Sequence, residues 1–586
     1  MSVHEKCKRR IFLICADEEA AFTGVPSGNK IVNDESGDHS EVKTSGEISM
    51  TEGAGLSAVV SASEERCRKY AEQISGGNVP VFVVDGICEL TDEEKRSSYT
   101  PRKVISAYRE ILSSYDGDIA VVASAGYIKA LICFLECREP EKQDEIDVLP
   151  GCIYEVTIPG RLCAVISADD ERGNELYRPM PSDEAPMLME YALDTFTRVG
   201  VAKTVIVCGQ NKEKLEKELA GPGRIFVTGD GLCGKNDLDL DSEWDGVFLL
   251  PSSVPVFTLF SVQQLMCSMG FEVPYGSSVK ATDEPGISEI RRVIGDSHVG
   301  VVPVYKGKRG YPVLVRYEYL KRVTDDIQKN AEKKDNQESA ERKDYQGNAE
   351  GFRTNGFEAK SRGMDVSSVR LGEIIASIAK SDDVVEVSVP DPAVVLSTKT
   401  RSGCEKARDH LFSLRTPGLA YCRELLQWIN LPKHKLRHSE KVAFYAREMA
   451  EEFNSRGRDT YSLLLDENIT AAGGMLHDIA KGYPKHAAVG AAMLRSLNMA
   501  RVAEIVENHQ NLAERYFRST SPVLIVYLAD KMFCGDECVG IEERFRRKRD
   551  KHKGDEKAMK KLAYKEKQAL RAKEVYENSI LGWPVG

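Results

Sequence analysis

The chain has 586 residues, a mass of 65.0 kDa and a formal net charge of -11. This length exceeds one ordinary hydrophobic core, so we expect about three or four domains. The acidic balance argues against a nucleic-acid or anionic-membrane partner, because such partners need clustered Lys and Arg. The 15 cysteines form no CxxC pair, and the first apolar run, residues 11–15, is too short for a signal sequence or a membrane span. The sequence therefore predicts a soluble, cytoplasmic protein.

Residues 1–160 predict an α/β domain, because short apolar strands such as 120–123 are followed by amphipathic helices such as 128–135. Residues 26–56 are rich in Ser, Gly, Glu, Asp and Lys and predict a disordered insertion. The runs RIFLICADEE (10–19) and IAVVASAG (119–126) resemble the two histidine-bearing strand ends of histidine phosphatases. Ala16 and Ser124 stand where that family has its histidines, so the resemblance implies no phosphohistidine chemistry. An α/β domain of another kind is the alternative.

Residues 161–405 predict a second α/β module. Its main segments are CAVISADDERG (163–173), an amphipathic helix at 186–196, a strand at 203–209, GVFLLPSSVP (246–255), RGYPVL (309–314) and the late segment 384–400. Residues 325–366 are almost wholly polar and predict a second disordered insertion. In order and spacing the module resembles the nucleotidyltransferases of molybdenum cofactor biosynthesis, whose Rossmann-like fold transfers CMP or GMP.

This second module departs from the family at the positions that carry its chemistry. The glycine-rich nucleotide loop becomes SADDE (167–171), with carboxylates where a triphosphate approaches backbone N–H groups. The family's metal-binding aspartates are replaced by Ser253, Ser397 and Lys399, although Arg172 and Gly173 remain and Arg178 stands for a lysine. Because loss of these carboxylates removes Mg²⁺, the resemblance implies a degenerate module.

Residues 406–540 predict an all-α domain with a cluster of metal-ligand side chains. Histidines at helical spacing with apolar residues, for example His438 with Val442 and Ala446, point into the helical core. Asp530 lies in a strongly apolar helix, where a carboxylate is costly unless it is paired or holds a metal. The candidate ligands are His438, His477, Asp478, His486, His509 and Asp530. Each histidine alone is more simply a buried core residue, but their convergence favours a metal site.

The order His, His-Asp, Asp over about residues 430 to 535 resembles the HD-domain metal-dependent phosphohydrolases. The resemblance implies metal roles for His438, His477, Asp478 and Asp530, and a phosphate-facing role for Lys481. The additional His486 and His509 resemble the ligand set of binuclear HD enzymes. An oxygen and nitrogen shell suits one or two divalent ions of Fe, Mn, Zn or Mg, which activate water and clamp phosphate oxygens. In this mechanism Asp478 and Lys481 take part in catalysis, with Lys481 neutralising developing charge.

The run Gly482-Tyr483-Pro484 also occurs in cyclic-dinucleotide phosphodiesterases with an HD-GYP motif, but in that family it lies further downstream, after a double histidine. Here His509 is followed by Gln510, and the tripeptide is interpreted as a turn that ends a helix. Residues 541–586 predict a charged, solvated helical tail, whose basic residues could alternatively bind a nucleotide.

The sequence thus predicts a metal-dependent phosphohydrolase with a small phosphorylated substrate, such as a nucleotide or cofactor precursor, and two α/β modules without catalysis. One alternative is a molybdopterin nucleotidyltransferase using CTP or GTP, with a divergent site and a regulatory HD domain. The other is a non-catalytic ligand-binding scaffold.

Overall fold

The computed structural model describes residues 9–16, 55–97, 99–150, 153–168, 188–208, 212–227, 244–271, 298–326, 329, 371–456 and 464–581. The predicted insertions 26–56 and 325–366 lie outside the described residues, apart from positions 55, 56, 325, 326 and 329. Within the described part of the chain, no helix is long and apolar enough to cross a membrane.

The first α/β unit contains a five-stranded sheet. Its strands are β1 (Arg9–Cys15), β2 (Leu56–Ser61), β3 (Val81–Val83), β4 (Asp118–Ala123) and β5 (Ile153–Ile158). The order across the sheet is β3-β2-β4-β1-β5, with β5 antiparallel to β1 and the other neighbours parallel. The helices that accompany this sheet are α1 (Glu65–Ser75), α2 (Asp92–Lys95), α3 (Arg102–Ser114) and α4 (Ala125–Leu135). Central strand β4 is a continuous apolar run because helices cover both faces of a parallel sheet.

The second α/β unit contains an eight-stranded sheet. Its strands are β6 (Leu162–Ser167), β7 (Val201–Val207), β8 (Arg224–Val227), β9 (Gly246–Pro251), β10 (Gly300–Tyr305), β11 (Lys308–Arg309), β12 (Val313–Val315) and β13 (Val385–Ser388). The helices described in this unit include α5 (Leu188–Arg198), α6 (Lys212–Leu219), α7 (Leu259–Ser268) and α8 (Leu371–Lys380).

Strands β8, β7, β6 and β9 are parallel neighbours in that order, which is the arrangement of a Rossmann-like half. Strand β12 then runs antiparallel to β9 and to β10, and β10 also pairs with β11 in antiparallel and with β13 in parallel. Side chains alternate across β6: Ala164 and Ile166 belong to one hydrophobic cluster, while Cys163 and Val165 belong to another. The two clusters cover opposite faces of the sheet, as a three-layer α/β fold requires.

The described residues from 401 onward are mainly helical. The helices are α9 (Arg401–Arg415), α10 (Leu419–Trp428), α11 (Lys433–Arg456), α12 (Glu467–Leu476), α13 (His486–Ser496), α14 (Ala500–Asn508), α15 (Pro522–Met532), α16 (Ile541–Lys551) and α17 (Glu556–Leu581). Helices α10 to α17 share one hydrophobic cluster. The predicted architecture, two α/β units followed by an all-α region, is therefore confirmed.

Two details of this helical region differ from the expectation. The proposed boundary at residue 405 falls inside α9, whose Ala407 and Leu411 pack on the second α/β unit while Leu414 joins the helical core. The tail was expected to be a solvated helix, but Ala572 and Tyr576 of α17 are buried against the helical core. The sequence of α17 did not predict this packing, because a few alanine and tyrosine residues among many charged ones form only a weak apolar stripe.

Candidate metal centre

His438 lies in the second turn of α11, on the face that buries Val442, Ala446 and Met449. Its Nδ1 is 2.5 Å from the carbonyl oxygen of Gly535, in the hairpin formed by β14 (Phe533–Cys534) and β15 (Glu537–Cys538). A carbonyl can only accept, so Nδ1–H donates and the lone pair resides on Nε2. That Nε2 lies 3.3 Å from Asp530 Oδ1.

His477 and Asp478 follow the last residue of α12. The helix begins at a normal cap, where Asp466 accepts hydrogen bonds from the backbone N–H groups of Asn468 and Ile469. His477 Nδ1 donates to the carbonyl oxygen of Gly474 at 2.8 Å. Its Nε2 is buried and has no hydrogen-bond partner among the described residues. Such a lone pair is unusual in a protein core and is free to bind a cation.

His486 and His509 approach the Asp478 carboxylate from two further helices. His486 is the first residue of α13, and His509 directly follows α14. Their Nε2 atoms lie 3.3 and 3.4 Å from Asp478 Oδ1. His509 Nδ1 donates to the Val506 carbonyl at 2.6 Å, which again directs Nε2 inward. The Gln510 amide nitrogen is 2.7 Å from His486 Nε2.

Asp530 lies near the end of α15 and is almost fully buried. In addition to His438, its Oδ1 is 3.7 Å from His477 Nε2. Lys531 Nζ contacts Asp530 Oδ2 at 2.7 Å, and the Arg544 guanidinium lies 3.4 Å from Oδ1. These neighbours provide the pairing that a buried carboxylate requires.

The candidate ligand atoms fall into two groups that share Asp478. The first contains His438, His477 and Asp478, and the second contains Asp478, His486 and His509. Within each group the ligand atoms lie within 4.8 Å of one another. The donor set is mixed imidazole nitrogen and carboxylate oxygen, which fits divalent ions such as Fe, Mn or Zn. Asp530 belongs to neither group, but its Oδ1 lies 3.3 Å from His438 Nε2, so all six residues predicted from the sequence lie in one place.

Electrostatics keep these groups in the protonation states that bind metal. Burial lowers the pKa of His477 to about 4, so the imidazole is neutral at pH 7. Burial likewise lowers the pKa of His509. For Asp478, burial raises the pKa, but the neighbouring imidazoles of His477, His486 and His509 and the Lys481 ammonium outweigh it and lower the pKa. The same competition, with Arg544 and Lys531 as the main cations, holds the pKa of Asp530 well below its usual value.

Lys481 lies beside the cluster at the edge of the protein. Its Nζ is 3.2 Å from Asp478 Oδ1, and about a third of the side chain is exposed. The following Gly482 has φ +115°, and Lys485 has φ 51° just before α13 begins. The segment is a turn, as expected for Gly482-Tyr483-Pro484.

Some of the positions at which the two resemblances imply lost catalytic residues lie within the described part of the chain. Ala16 and Ser124 lie side by side, because Ala16 N–H donates to the Ala123 carbonyl at 3.0 Å. The backbone of Ser253 accepts from Thr398 N–H at 2.7 Å, which brings Ser253 close to Ser397 and Lys399. Residues 169–187, with Arg172, Gly173 and Arg178, lie outside the described residues. The resemblances to histidine phosphatases and to molybdenum cofactor nucleotidyltransferases stay predictions.

Sequence reasoning missed three residues next to the cluster: Gln510, Lys531 and Arg544. Lys531 is buried despite its charge, and its Nζ also donates to the His509 carbonyl at 2.9 Å. An available signal was the Asp-Lys pair inside an apolar helix, since two adjacent charges there need partners. For Arg544 and Gln510, nothing in the sequence marks the contact.

Histidines and aspartates from five segments converge in this helical core. This arrangement is that of a metal-binding all-α domain. Residues 436–533 match the family model of the HD domain, and this part of the chain is an HD domain. HD domains form a superfamily of metal-dependent hydrolases. No curated protein matches the chain.

Several solved structures are similar to parts of the chain. One is the Rv0371c homologue from Mycobacterium sp. strain JC1, with 15% identity and a TM-score of 0.27, covering 43% of this chain and 98% of that one. A second is Rv0371c from Mycobacterium tuberculosis H37Rv, with 12% identity, a TM-score of 0.25, and coverage of 42% and 97%. A third is 4-diphosphocytidyl-2C-methyl-D-erythritol synthase from Anaerococcus prevotii DSM 20548, with 12% identity, a TM-score of 0.23, and coverage of 43% and 96%. Scores this low assign no activity to this chain.

Proposed function

We propose that the HD domain is a metal-dependent phosphohydrolase that acts on a phosphate ester or anhydride of a nucleotide or cofactor precursor. The observation that carries this proposal is the pair of ligand groups sharing Asp478. His438, His477, Asp478, His486, His509 and Asp530 would hold one or two divalent ions. Bound ions supply an activated water and neutralise phosphate charge.

The protein's own residues would perform the remaining tasks. Imidazoles fixed through Nδ1 by backbone carbonyls need little reorganisation, because their Nε2 atoms already face the centre of the site. Lys481 lies at the exposed edge, where its ammonium group would pair with a phosphate oxygen. Hydrolysis forms a bond from a water oxygen to phosphorus and breaks the bond to the leaving oxygen, which takes up a proton. No nucleophilic side chain is required.

The test compares the purified full-length protein with Asp478→Ala and with Asp409→Ala, an exposed aspartate on α9, as the matched control. Bound metal is measured by elemental analysis, and phosphate release is measured across phosphate esters and nucleotides. We expect Asp478→Ala to lose metal and to lose activity by about a thousandfold or more, because the carboxylate belongs to both groups. Equal activity in wild type and Asp478→Ala would exclude the metal mechanism.

The same preparations distinguish the two alternatives. Pyrophosphate release from CTP or GTP in the presence of molybdopterin and Mg²⁺ would place catalysis in the second α/β unit instead. Absence of both bound metal and turnover would favour a ligand-binding scaffold. The first alternative is weakened by the side chains at its expected metal position, since Ser253, Ser397 and Lys399 offer no carboxylate.

A further inference from the structure

The basic side chains of α16 divide into two sets. On the outer side, carboxylates from the same or neighbouring segments pair with the arginines: Arg546 with Glu543, Arg547 with Glu543 and Glu537, and Arg549 with Glu566. Arg544 and Lys548 lie one helical turn apart on the other side, facing Asp530 and Lys531 of α15. Only this second set lies beside the proposed metal centre.

Arg544 is poorly satisfied by its contact with Asp530. Its two terminal nitrogens lie 3.4 and 3.5 Å from the carboxylate oxygens, whereas a charge-assisted hydrogen bond is usually about 2.7–2.9 Å long. Its Nε is buried and has no hydrogen-bond partner within the described part of the chain. Lys531 already occupies Asp530 Oδ2 at 2.7 Å. Arg544 therefore retains donors for a further acceptor.

A second unpartnered donor lies in the same region. The Tyr527 hydroxyl is fully buried and finds no hydrogen-bond partner among the residues described. Lys531 Nζ lies 4.6 Å from the centre of the Tyr527 ring. The hydroxyl is close enough to Asp530 and Arg544 for their charges to act on its pKa, Asp530 raising it and Arg544 lowering it. Buried polar groups nearly always have partners, so this hydroxyl is able to donate to an acceptor between α15 and α16.

Positive charge is in excess here. Burial, together with the like charges of Arg544 and Lys531, lowers the pKa of Lys548 to about 8. The carboxylate that partly compensates is Asp530, which is also a proposed metal ligand. Metal binding would use that negative charge and leave the three cations without compensation.

We infer that Lys531, Arg544 and Lys548 form an anion subsite beside the metal centre that takes the second phosphoryl group of a diphosphate or longer polyphosphate substrate. This inference rests on the proposed function. Lys481 pairs with Asp478, whereas Lys531 and Arg544 contact Asp530 and Lys548 lies within the electrostatic range of all three. The subsite therefore lies at the other end of the ligand cluster, where an adjoining phosphoryl group would bind.

The test measures binding of inorganic tripolyphosphate and of inorganic phosphate to the full-length, metal-loaded protein by calorimetry. The variants are Lys548→Met, with Lys548→Gln as a second neutral replacement, and Lys551→Met as the control at an exposed position of the same helix. We expect wild type to bind tripolyphosphate at least about tenfold more tightly than phosphate. Lys548→Met should lose about tenfold in tripolyphosphate affinity, with phosphate affinity and metal content unchanged, and Lys551→Met should match wild type.

Unchanged tripolyphosphate affinity in both Lys548 variants would overturn the subsite, as would an equal loss for both anions. The proposed function is tested separately by measuring hydrolysis of p-nitrophenyl phosphate, which has no second phosphoryl group. Turnover of that ester with no effect of Lys548 on tripolyphosphate would sustain the function and refute the subsite. Tripolyphosphate binding that depends on Lys548, without hydrolysis of any phosphate ester or anhydride, would sustain the subsite and refute the proposed function.

Discussion

At the scale of single residues, Asp478 connects the two halves of the candidate centre. Its Oδ1 lies 3.3 and 3.4 Å from the Nε2 atoms of His486 and His509, and its Oδ2 lies 3.7 Å from His477 Nε2. A carboxylate that offers one oxygen to each side can join two ions. Replacement of different ligands should therefore remove different numbers of ions.

We predict that His438→Ala and His486→Ala each retain one ion where wild type holds two, because each variant damages only one of the two groups. Asp478→Ala should lose both ions. Metal per chain, measured by elemental analysis after gel filtration, checks this, with the exposed His552→Ala as control. Full metal content in both single histidine variants would show that the two groups do not act as separate sites.

Lys548 gives a pH-dependent prediction. Its pKa is about 8 in the folded protein and 10.5 in the reference state, so folding disfavours its charged form. This cost is fully present below pH 8 and is relieved as the pH rises toward 10.5. Lys548→Met should therefore unfold at a higher temperature than wild type at pH 7, and the difference should shrink above pH 8. Thermal unfolding between pH 7 and 10 tests this; a constant difference, or the same effect in Lys551→Met, would contradict it.

At the scale of secondary-structure elements, the site depends on how closely α11 and α12 approach. Gly474 in α12 allows this contact, since a Cβ atom there would lie 2.8 Å from Ala443 Cα of α11. The same glycine accepts the hydrogen bond from His477 Nδ1, and α11 carries His438. Helix spacing and imidazole orientation are therefore set by the same residue.

Gly474→Ala should force the two helices apart and lower the free energy of unfolding by about 2 kcal/mol, because the clash is with backbone atoms that cannot rotate away. Metal affinity should fall as well. Gly418→Ala is the control, because its Cβ would meet nothing within 4 Å and its φ is negative. Denaturant unfolding and metal titration measure both effects, and a neutral Gly474→Ala would mean that α11 and α12 can separate without cost.

The individual elements were mostly predictable because each carries its own periodicity. Residues 438–453 have apolar side chains at helical spacing, and Ser521 precedes Pro522 at the start of α15, where a serine cap is expected. The buried face of α17 was not predictable from its charge-rich sequence, since Ala569 and Ala572 gain their burial from neighbouring elements that include α11, α15 and α16.

At the scale of the whole molecule, the first α/β unit contacts the HD domain through charged side chains. Lys142 pairs with Glu504, Arg138 lies 3.9 Å from Glu507, and Arg515 reaches Glu145 at 2.8 Å. Glu504 and Glu507 belong to α14, the helix that is followed by His509. The first α/β unit thus contacts a helix of the proposed metal centre.

We predict that Glu504→Lys lowers the free energy of unfolding by about 1 kcal/mol, because it sets two lysines in contact at a partly exposed position. Combining it with Lys142→Glu should recover part of the loss, although Glu504 also accepts from the Tyr516 hydroxyl. Denaturant unfolding at low and high salt is the measurement, and the effect should weaken with salt. A double variant less stable than either single variant would argue against this contact.

The sequence by itself determined the order of the modules, the helical nature of the HD region and the residue types of the candidate centre. It could do so because hydrophobic periodicity is local, and because His and Asp on apolar faces are costly unless they are used. Only the tertiary structure decided that five of the candidate ligands form two groups sharing Asp478, and that Arg544 and Lys531 lie beside the sixth, Asp530. These relations depend on how α11 to α16 pack, and helix packing is set by contacts between segments that are distant in the chain.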